Sequence, residues 1–210
     1  MHGLTSPSTD YTQTRVCKGS WSRQGQHRHG VQFYSQDKFL LEELSEYVGN
    51  ALRAGDSAVV VATDQHREGL LPGLMAQGLD IAALLDAGRF VSVDAGQVLA
   101  TFMSDGWPNE GRFKDVVGGM VAKAVACAGG VQPRVAIFGE MVALLWAEGK
   151  TEAAIRLEQL WNELARTKPF SLFCAYPMSS FNREEDSGLL LKVCNEHSAV
   201  IPTEGYMGLN

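Results

Sequence analysis

Short apolar runs alternate with helix-length segments along this chain, and this alternation is the strongest constraint on its fold. The run Ala58–Ala62 is entirely apolar, which is typical of a strand buried on both faces of a sheet. Strands separated by helices predict a three-layer α/β/α fold with a mostly parallel central sheet. Further strands are predicted at Val31–Tyr34, Phe90–Val93, Val135–Phe138, Phe170–Tyr176 and Ala199–Pro202.

The segments between these strands carry helical patterns. A weak helix starts near Gln65, and Pro72 and Gly73 are expected to interrupt it. A turn is predicted over Asp105–Asn109, where Gly and Pro follow an acidic residue. The other predicted helices begin near Asp37 and cover Ile81–Ala87, Ala95–Met103, Glu110–Ala128, two helices divided near Gly149, and Glu184–His197.

The first 28 residues differ from the rest in composition and charge. They are rich in Ser, Thr, Gly and Gln, and they carry four basic residues against one acidic residue. This composition predicts a flexible tail over residues 1–28 and one folded domain over residues 29–210. The domain then holds 14 basic and 23 acidic residues. We therefore expect no direct binding to nucleic acid, which requires clustered Lys and Arg.

Hydropathy and cysteine spacing indicate the compartment. No apolar run reaches the length of a membrane span, and the N-terminus lacks the apolar core of a signal peptide. The four cysteines are scattered, without a Cys-x-x-Cys pair. We expect a cytoplasmic protein with reduced thiols and no membrane association.

Glu140 stands directly beyond the predicted strand Val135–Phe138. Ligands of parallel α/β sheets bind outside the carboxyl ends of the strands, so an acid at this point is a candidate binding residue. The alternative is a solvated residue in a strand-to-helix turn, and position alone leaves both interpretations open.

A phosphate-binding loop is missing from the expected position. The segment after the first strand, Ser35-Gln36-Asp37, has no Gly or Lys at the required offset and carries an acid that would repel phosphate. Gly149-Lys150-Thr151 resembles the end of such a loop, but the leading Gly is replaced by Leu144 and the preceding segment is helical. A helix end is the better interpretation. We expect no ATP hydrolysis by this route, and no cofactor is predicted.

Several other residues are weighed as ligand contacts. Glu158 and Asn162 lie on the border between the apolar and polar faces of the helix Thr151–Arg166, where they face either a cleft or solvent. His29 follows His27 in a His-x-His pair, but no nearby Cys or acid cluster completes a metal site, so no metal is predicted. The aromatic residues that could shape an apolar pocket, or equally an ordinary core, are Trp146, Trp161 and Tyr176.

Several blocks of sequence together resemble the MEDS domain, the sensory domain of methanogens and methylotrophs typified by DcmR. The blocks include His29–Tyr34, Gly55–Thr63, Phe138–Val142, Leu157–Leu164 and Phe173–Pro177, and they occur in the family's order. The resemblance implies a relative of the RecA and KaiC ATPases that has lost the P-loop. Tyr34–Asp37 would replace the phosphate loop, and Phe138–Glu140 would replace the Walker B strand end.

The resemblance implies a protein that senses a small molecule and passes a signal on. Our leading hypothesis is a non-enzymatic, cytoplasmic sensor that binds an unidentified ligand at the carboxyl edge of the sheet. Since no domain-sized segment flanks the family's region, we expect output through a separate kinase, anti-sigma system or transcription regulator, or through a homo-oligomer. The predicted ligand contacts are His29, Tyr34, Glu140, Glu158 and Tyr176, with Trp146 and Trp161 shaping the pocket.

Two other functions stay open on the sequence. The first is a protein-interaction module, or a self-associating one, whose ancestral pocket is empty. The second is a protein that binds nucleotide through a non-standard loop. A carboxylate at position 140 suits a cationic or hydrogen-bond-donating ligand better than an anionic one, unless burial raises its pKa.

Overall fold

A computed structural model describes residues 29–129, 132–181 and 186–201, so the predicted tail over residues 1–28 lies outside the described residues. Six parallel strands form one sheet in the order β3-β2-β6-β7-β1-β8, and β4 and β5 form a separate antiparallel pair. The strands are β1 (His29–Tyr34), β2 (Ser57–Ala62), β3 (Phe90–Asp94), β4 (Met103–Ser104), β5 (Trp107–Pro108), β6 (Val135–Gly139), β7 (Phe170–Pro177) and β8 (Ala199–Ile201).

Helices cover both faces of the sheet and create two hydrophobic cores. The helices are α1 (Asp37–Arg53), α2 (Asp64–Ala76), α3 (Ile81–Asp86), α4 (Ala95–Phe102), α5 (Glu110–Cys127), α6 (Met141–Ala147), α7 (Thr151–Ala165) and α8 (Asp186–Glu196), with a 3-10 turn at Met178–Phe181. The apolar sides of α1 and α2 pack on one face, and those of α4 to α8 pack on the other. The predicted three-layer α/β fold is confirmed. None of the described helices combines the length and apolar character that spanning a bilayer requires.

The helix α2 differs from the prediction, because it runs through Pro72 without a break. Its packing against α1 explains the difference. A Cβ atom on Gly69 would come within 2.8 Å of the Leu41 side chain, and one on Gly73 within 2.8 Å of Ser45. These two glycines, one turn apart, let α2 approach α1 closely, and this tertiary packing outweighs the low helix propensity of the segment.

The turn predicted over Asp105–Asn109 is part of a β-hairpin that the sequence analysis did not anticipate. Asp105 and Gly106 both adopt left-handed backbone conformations, with φ of 51° and 77°. This pair of positive φ values is required by a two-residue type I′ turn, for which Asp-Gly is a preferred sequence. The hairpin joins α4 to α5.

The helices that follow the neighbouring strands β2 and β6 lie on opposite faces of the sheet. The helix after β2 packs with α1 on one face, whereas the helix after β6 packs with α7 on the opposite face. The carboxyl ends of β2 and β6 therefore form a topological switch point. Such switch points are where open parallel sheets bind their ligands.

Candidate functional site

The predicted site residues fall into two separate groups. The edge cluster lies at the carboxyl ends of the strands and consists of Tyr34, Asp37, Thr63, His66 and Glu140. The buried cluster lies between the sheet and the helices α7 and α8, and consists of His29, Glu158, Cys174, Tyr176 and His197. The structure therefore does not bring Glu140 together with His29, Glu158 and Tyr176.

Glu140 is held in the edge cluster by groups that follow β2. One carboxylate oxygen accepts hydrogen bonds from the backbone amide of Thr63 at 2.7 Å and from its hydroxyl at 3.2 Å. The other oxygen is hydrogen-bonded to Nδ1 of His66. Glu140 is only 3% exposed, so the interpretation of a solvated turn residue is wrong.

The far side of the His66 ring lacks a hydrogen-bond partner. Its Nε2 atom is buried and lies 3.5 Å from Oδ1 of Asp37, outside hydrogen-bond geometry. The Tyr34 ring packs edge-on against the imidazole, with ring centroids 6.1 Å apart. Burial raises the pKa of the Tyr34 hydroxyl, and the charges of Glu140 and Asp37 raise it further. Tyr34 therefore stays protonated and neutral at physiological pH.

The His66–Glu140 pair predicts a pH-dependent contribution to stability. Burial lowers the pKa of His66, but the hydrogen bond and charge of Glu140 and the charge of Asp37 raise it more, so the net shift is upward. A raised folded-state pKa gives stabilisation that is complete below the unfolded value of about 6.5 and is lost as the pH rises through the folded value. We expect His66→Gln to lower the free energy of unfolding more at pH 6 than at pH 9, as measured by urea denaturation.

Gln97→Ala, at an exposed position of α4 outside the edge cluster, is the control for this experiment, since its side chain does not titrate. Its effect on the free energy of unfolding should be the same at both pH values. If His66→Gln lowered the free energy of unfolding equally at pH 6 and pH 9, the assigned ion pair between His66 and Glu140 would be contradicted.

The buried cluster is built around the carboxylate of Glu158, on the inner face of α7. The Tyr176 hydroxyl donates to Oε1 at 2.8 Å, and Cys174 Sγ lies 3.5 Å from Oε2. The imidazole Nε2 atoms of His29 and His197 lie 3.2 Å and 3.5 Å from the two carboxylate oxygens. Alternate positions of β7 supply Cys174 and Tyr176, the first residue of β1 supplies His29, and the residue after α8 supplies His197.

Electrostatics in the buried cluster favour an ionised Glu158. Burial alone would raise the pKa of Glu158, but His197, His29 and the Tyr176 hydroxyl hold it at about 2. Burial and the Glu158 charge raise the pKa values of Cys174 and Tyr176 well above their usual ranges. Burial lowers the pKa of His197. The cluster thus holds a buried carboxylate surrounded by a thiol, a phenol and imidazoles.

A cleft of about 700 Å³ opens beside the buried cluster. His29 and His197 form part of its wall, and the helix α7 contributes a row of polar and charged residues. The full lining is His29, Arg156, Gln159, Asn162, Glu163, Ala165, Arg166, Asn195, Glu196, His197 and Ser198. Asn162, which the sequence placed at the border of the helix, lines the cleft.

The two tryptophans occupy different surroundings. Trp161 is 1% exposed and packs edge-on against Phe113 and Phe170, with centroids 5.3 Å and 6.0 Å away. It belongs to the core between α5, α7 and the sheet. Trp146 packs on Tyr176 at 5.6 Å and donates its indole N–H to the Ser180 carbonyl at 3.1 Å. Trp146 therefore packs against Tyr176, the residue whose hydroxyl donates to Glu158.

Sequence reasoning did not select five of these side chains as site residues: Asp37, Thr63, His66, Cys174 and His197. His66 was visible as a polar group beyond a strand, but nothing paired it with Glu140, 74 positions away. Cys174 lies two positions before Tyr176 on the same strand, and residues at this spacing point to the same face. This pattern could have placed Cys174 beside Tyr176. His197 had no local signal, because its partner His29 lies at the other end of the described chain.

Comparisons with known proteins agree with this architecture. A family model described as the methanogen/methylotroph DcmR sensory domain, MEDS, matches residues 28–197. Solved structures with a similar fold include an uncharacterized protein, PH0321, from Pyrococcus horikoshii, which was crystallised in complex with an unknown peptide. The match has 14% sequence identity and a TM-score of 0.58, and it covers 84% of this chain and 77% of that one. No curated protein matches the chain.

Proposed function

This chain belongs to the MEDS family of sensory domains, and from that premise we propose that it binds a small molecule at the carboxyl edge of its sheet. Family membership implies a sensing or signalling role. The observation that supports the location is the buried Nε2 atom of His66, which has no hydrogen-bond partner and stands beside Glu140 at the β2–β6 switch point.

The edge cluster favours a ligand that donates hydrogen bonds. With Nδ1 of His66 donating to Glu140, Nε2 can accept a hydrogen bond from a ligand when the ring is neutral, and it pairs with Asp37 when the ring is protonated. Ligand binding should therefore strengthen as the pH rises above the raised pKa of His66. Asp37, whose side chain is 43% exposed, adds a second carboxylate on the solvent side. A small ammonium or amide-containing compound fits this set of acceptors better than a carboxylate or phosphate.

A panel of small ions tests this chemistry. Primary ammonium ions from methyl- to butylammonium are compared with carboxylates from acetate to valerate at equal ionic strength. We expect one or more ammonium ions to raise the thermal unfolding midpoint, because a ligand that binds only the folded state must stabilise it. A rise with carboxylates alone would contradict an acceptor-lined site.

ATP with Mg²⁺ is the third ligand class in the panel, and we expect it to leave the thermal unfolding midpoint unchanged. The first strand leads into Ser35-Gln36-Asp37, without the glycines whose amides wrap phosphates, and α1 starts at the acidic Asp37. This local sequence supports the proposal of a RecA- and KaiC-related, non-enzymatic domain that has lost its P-loop. A concentration-dependent shift with ATP would favour the nucleotide-binding alternative.

A second ligand position is favoured by one observation, the volume of the cleft beside α7. A cavity of about 700 Å³ is large enough for a small organic molecule. Matched Glu→Gln variants separate the two positions, since Glu140 lies in the edge cluster and Glu163 lines the cleft. We place the ligand at the edge cluster because it lies at the β2–β6 switch point, whereas no residue of β2 or β6 lines the cleft.

The proposed output is a change in the affinity for a separate signalling protein such as a kinase, an anti-sigma factor or a transcription regulator. The related fold from Pyrococcus horikoshii was crystallised with an unknown peptide, which makes a peptide segment of a partner a reasonable second probe. Self-association is the alternative. Size-exclusion chromatography with light scattering, with residues 1–28 present and removed, distinguishes a monomer from a homo-oligomer.

A further inference from the structure

The buried cluster has the geometry of a four-ligand metal site. Single donor atoms of His29, Glu158, Cys174 and His197 all lie within 4.8 Å of one another. Donors bound tetrahedrally at about 2.0–2.3 Å from Zn²⁺ are separated by about 3.3–3.6 Å. Three spacings agree with this range: 3.2 Å from Oε2 of Glu158 to His29, 3.5 Å from the same oxygen to Cys174, and 3.4 Å from His29 to Cys174. Nε2 of His197 lies 3.5 Å from the other oxygen, Oε1, and within 4.8 Å of the remaining donors.

Both imidazoles are oriented by hydrogen bonds at their other nitrogen. Nδ1 of His29 lies 2.9 Å from Oδ1 of Asn162, and Nδ1 of His197 lies 2.7 Å from the Val193 carbonyl. Asn162 is fixed in turn, because its amide nitrogen donates to the Glu196 carbonyl at 2.9 Å and its carboxylate at 3.1 Å. Since both partners are acceptors, each ring is protonated at Nδ1. The Nε2 atoms then point into the cluster, as the coordinating nitrogens of metal-ligating histidines do.

The buried cluster contains a carboxylate but no lysine or arginine. Nε2 of His197 is buried and has no hydrogen-bond partner among the described residues. Because the whole side chain is inaccessible to solvent, bulk water cannot serve as that partner. No Lys or Arg of the described residues pairs with Glu158, which is fully buried. Two imidazole lone pairs, a carboxylate and a thiol that face one another need either protons or a cation between them, because buried charges are costly unless compensated.

We propose that His29, Glu158, Cys174 and His197 bind one divalent transition-metal ion of the zinc class in a closed tetrahedral site. This departs from the sequence-based expectation of no metal, which rested on the absence of ligands near His29. Imidazole, thiolate and carboxylate together form a borderline donor set that suits Zn²⁺ better than Mg²⁺ or Ca²⁺. Binding displaces the Cys174 proton to solvent, and the dianionic pair Glu158 and Cys174 neutralises the ion.

The ion would join four separate parts of the fold. His29 begins β1, Glu158 lies on α7, Cys174 lies in β7, and His197 follows α8. The cleft beside α7 gives the ion a route to His29 and His197, which line it. Occupancy therefore fixes the turn from Glu196 to Ser198, which forms one wall of that cleft.

Cobalt substitution tests this proposal on the full-length chain. Protein stripped with a chelator is dialysed against Co²⁺, and its absorption spectrum and bound metal are measured. We expect about one Co²⁺ per chain, with the intense visible bands of tetrahedral coordination and a thiolate-to-cobalt charge-transfer band. Zn²⁺ should displace the cobalt, abolish the bands and raise the thermal unfolding midpoint of the stripped protein.

Two cysteine variants identify the ligand. Cys174→Ser should lose the charge-transfer band, and its affinity for the metal should fall at least about tenfold. Cys127→Ser, at an exposed cysteine outside the cluster, should keep both. The proposal is overturned if the parent protein binds no Co²⁺ or gives only a weak octahedral spectrum. It is also overturned if a folded Cys174→Ser variant, checked by circular dichroism, retains the band. If Cys174→Ser does not fold, His197→Gln is measured for loss of the tetrahedral bands. The edge cluster is unchanged in all these variants.

Discussion

Replacing Glu158 with Gln is expected to lower the free energy of unfolding by about 3–5 kcal/mol, the usual cost of breaking a buried charged network. The carboxylate is fully buried and accepts from the Tyr176 hydroxyl at 2.8 Å. His29 and His197 lie within 3.5 Å of it. An amide at this position keeps the volume but removes the charge and turns one acceptor into a donor. The donor would face the Tyr176 hydroxyl, which itself donates at this position.

Urea denaturation in the presence of a chelator measures this cost without a contribution from bound metal. Glu152→Gln is the matched control, because Glu152 lies on the same helix with a side chain 64% exposed and pairs only with Lys192 at the surface. Its effect should stay within about 0.5 kcal/mol. A loss below about 1 kcal/mol for Glu158→Gln would show that the network contributes little.

Replacing Trp161 with Ala is expected to lower the free energy of unfolding by about 3–5 kcal/mol. Trp161 is among the largest fully buried side chains, and it fills the space between Phe113 on α5 and Phe170 on β7. Removing the indole leaves a cavity lined by large aromatic rings. Rigid secondary structure on both sides limits how far these rings can relax into it.

Trp107→Ala is the control for the core variant, because Trp107 is 49% exposed on the β4–β5 hairpin. The same chemical change there should cost less than about 1 kcal/mol. The comparison also decides the role that the sequence left open for Trp161. If Trp161→Ala alters ligand-induced shifts at unchanged stability, Trp161 lines the ligand pocket and is not a core residue.

The fold was predictable because its signals are local. The run Ala58–Ala62 is apolar throughout since both faces of β2 are covered, and its predicted bounds differ by one residue from the observed strand. A helix was predicted to begin at Ile81, and the carboxylate of Asp80 caps it by accepting from the Ala83 amide at 3.0 Å. Where a neighbour in space decides the structure, prediction failed: α2 continues through Pro72 because of its packing against α1.

The site was only partly predictable, because its partners are distant in sequence. The acid beyond a strand correctly pointed to the carboxyl edge as the place where Glu140 lies. No spacing rule could connect it to His66, since sheet order puts β2 beside β6. The same limit applies to His29 and His197, whose rings lie 4.0 Å apart and 168 positions apart in the chain. Seven candidate contacts that the sequence treated as one site therefore occupy two clusters and a core.

Sensing at Glu140 is the central claim, and the most direct test compares three Glu→Gln variants in the ammonium titration. Glu140→Gln removes the edge carboxylate, Glu163→Gln changes the cleft, and Glu148→Gln changes an exposed acid whose side chain is 54% exposed. We measure the shift in the thermal unfolding midpoint produced by the ammonium ion that gives the largest shift with the parent protein.

We predict that Glu140→Gln loses the shift, while Glu163→Gln and Glu148→Gln keep it. Circular dichroism confirms that each variant is folded before titration. A full shift with Glu140→Gln, or a shift lost only with Glu163→Gln, would contradict the edge cluster as the ligand site.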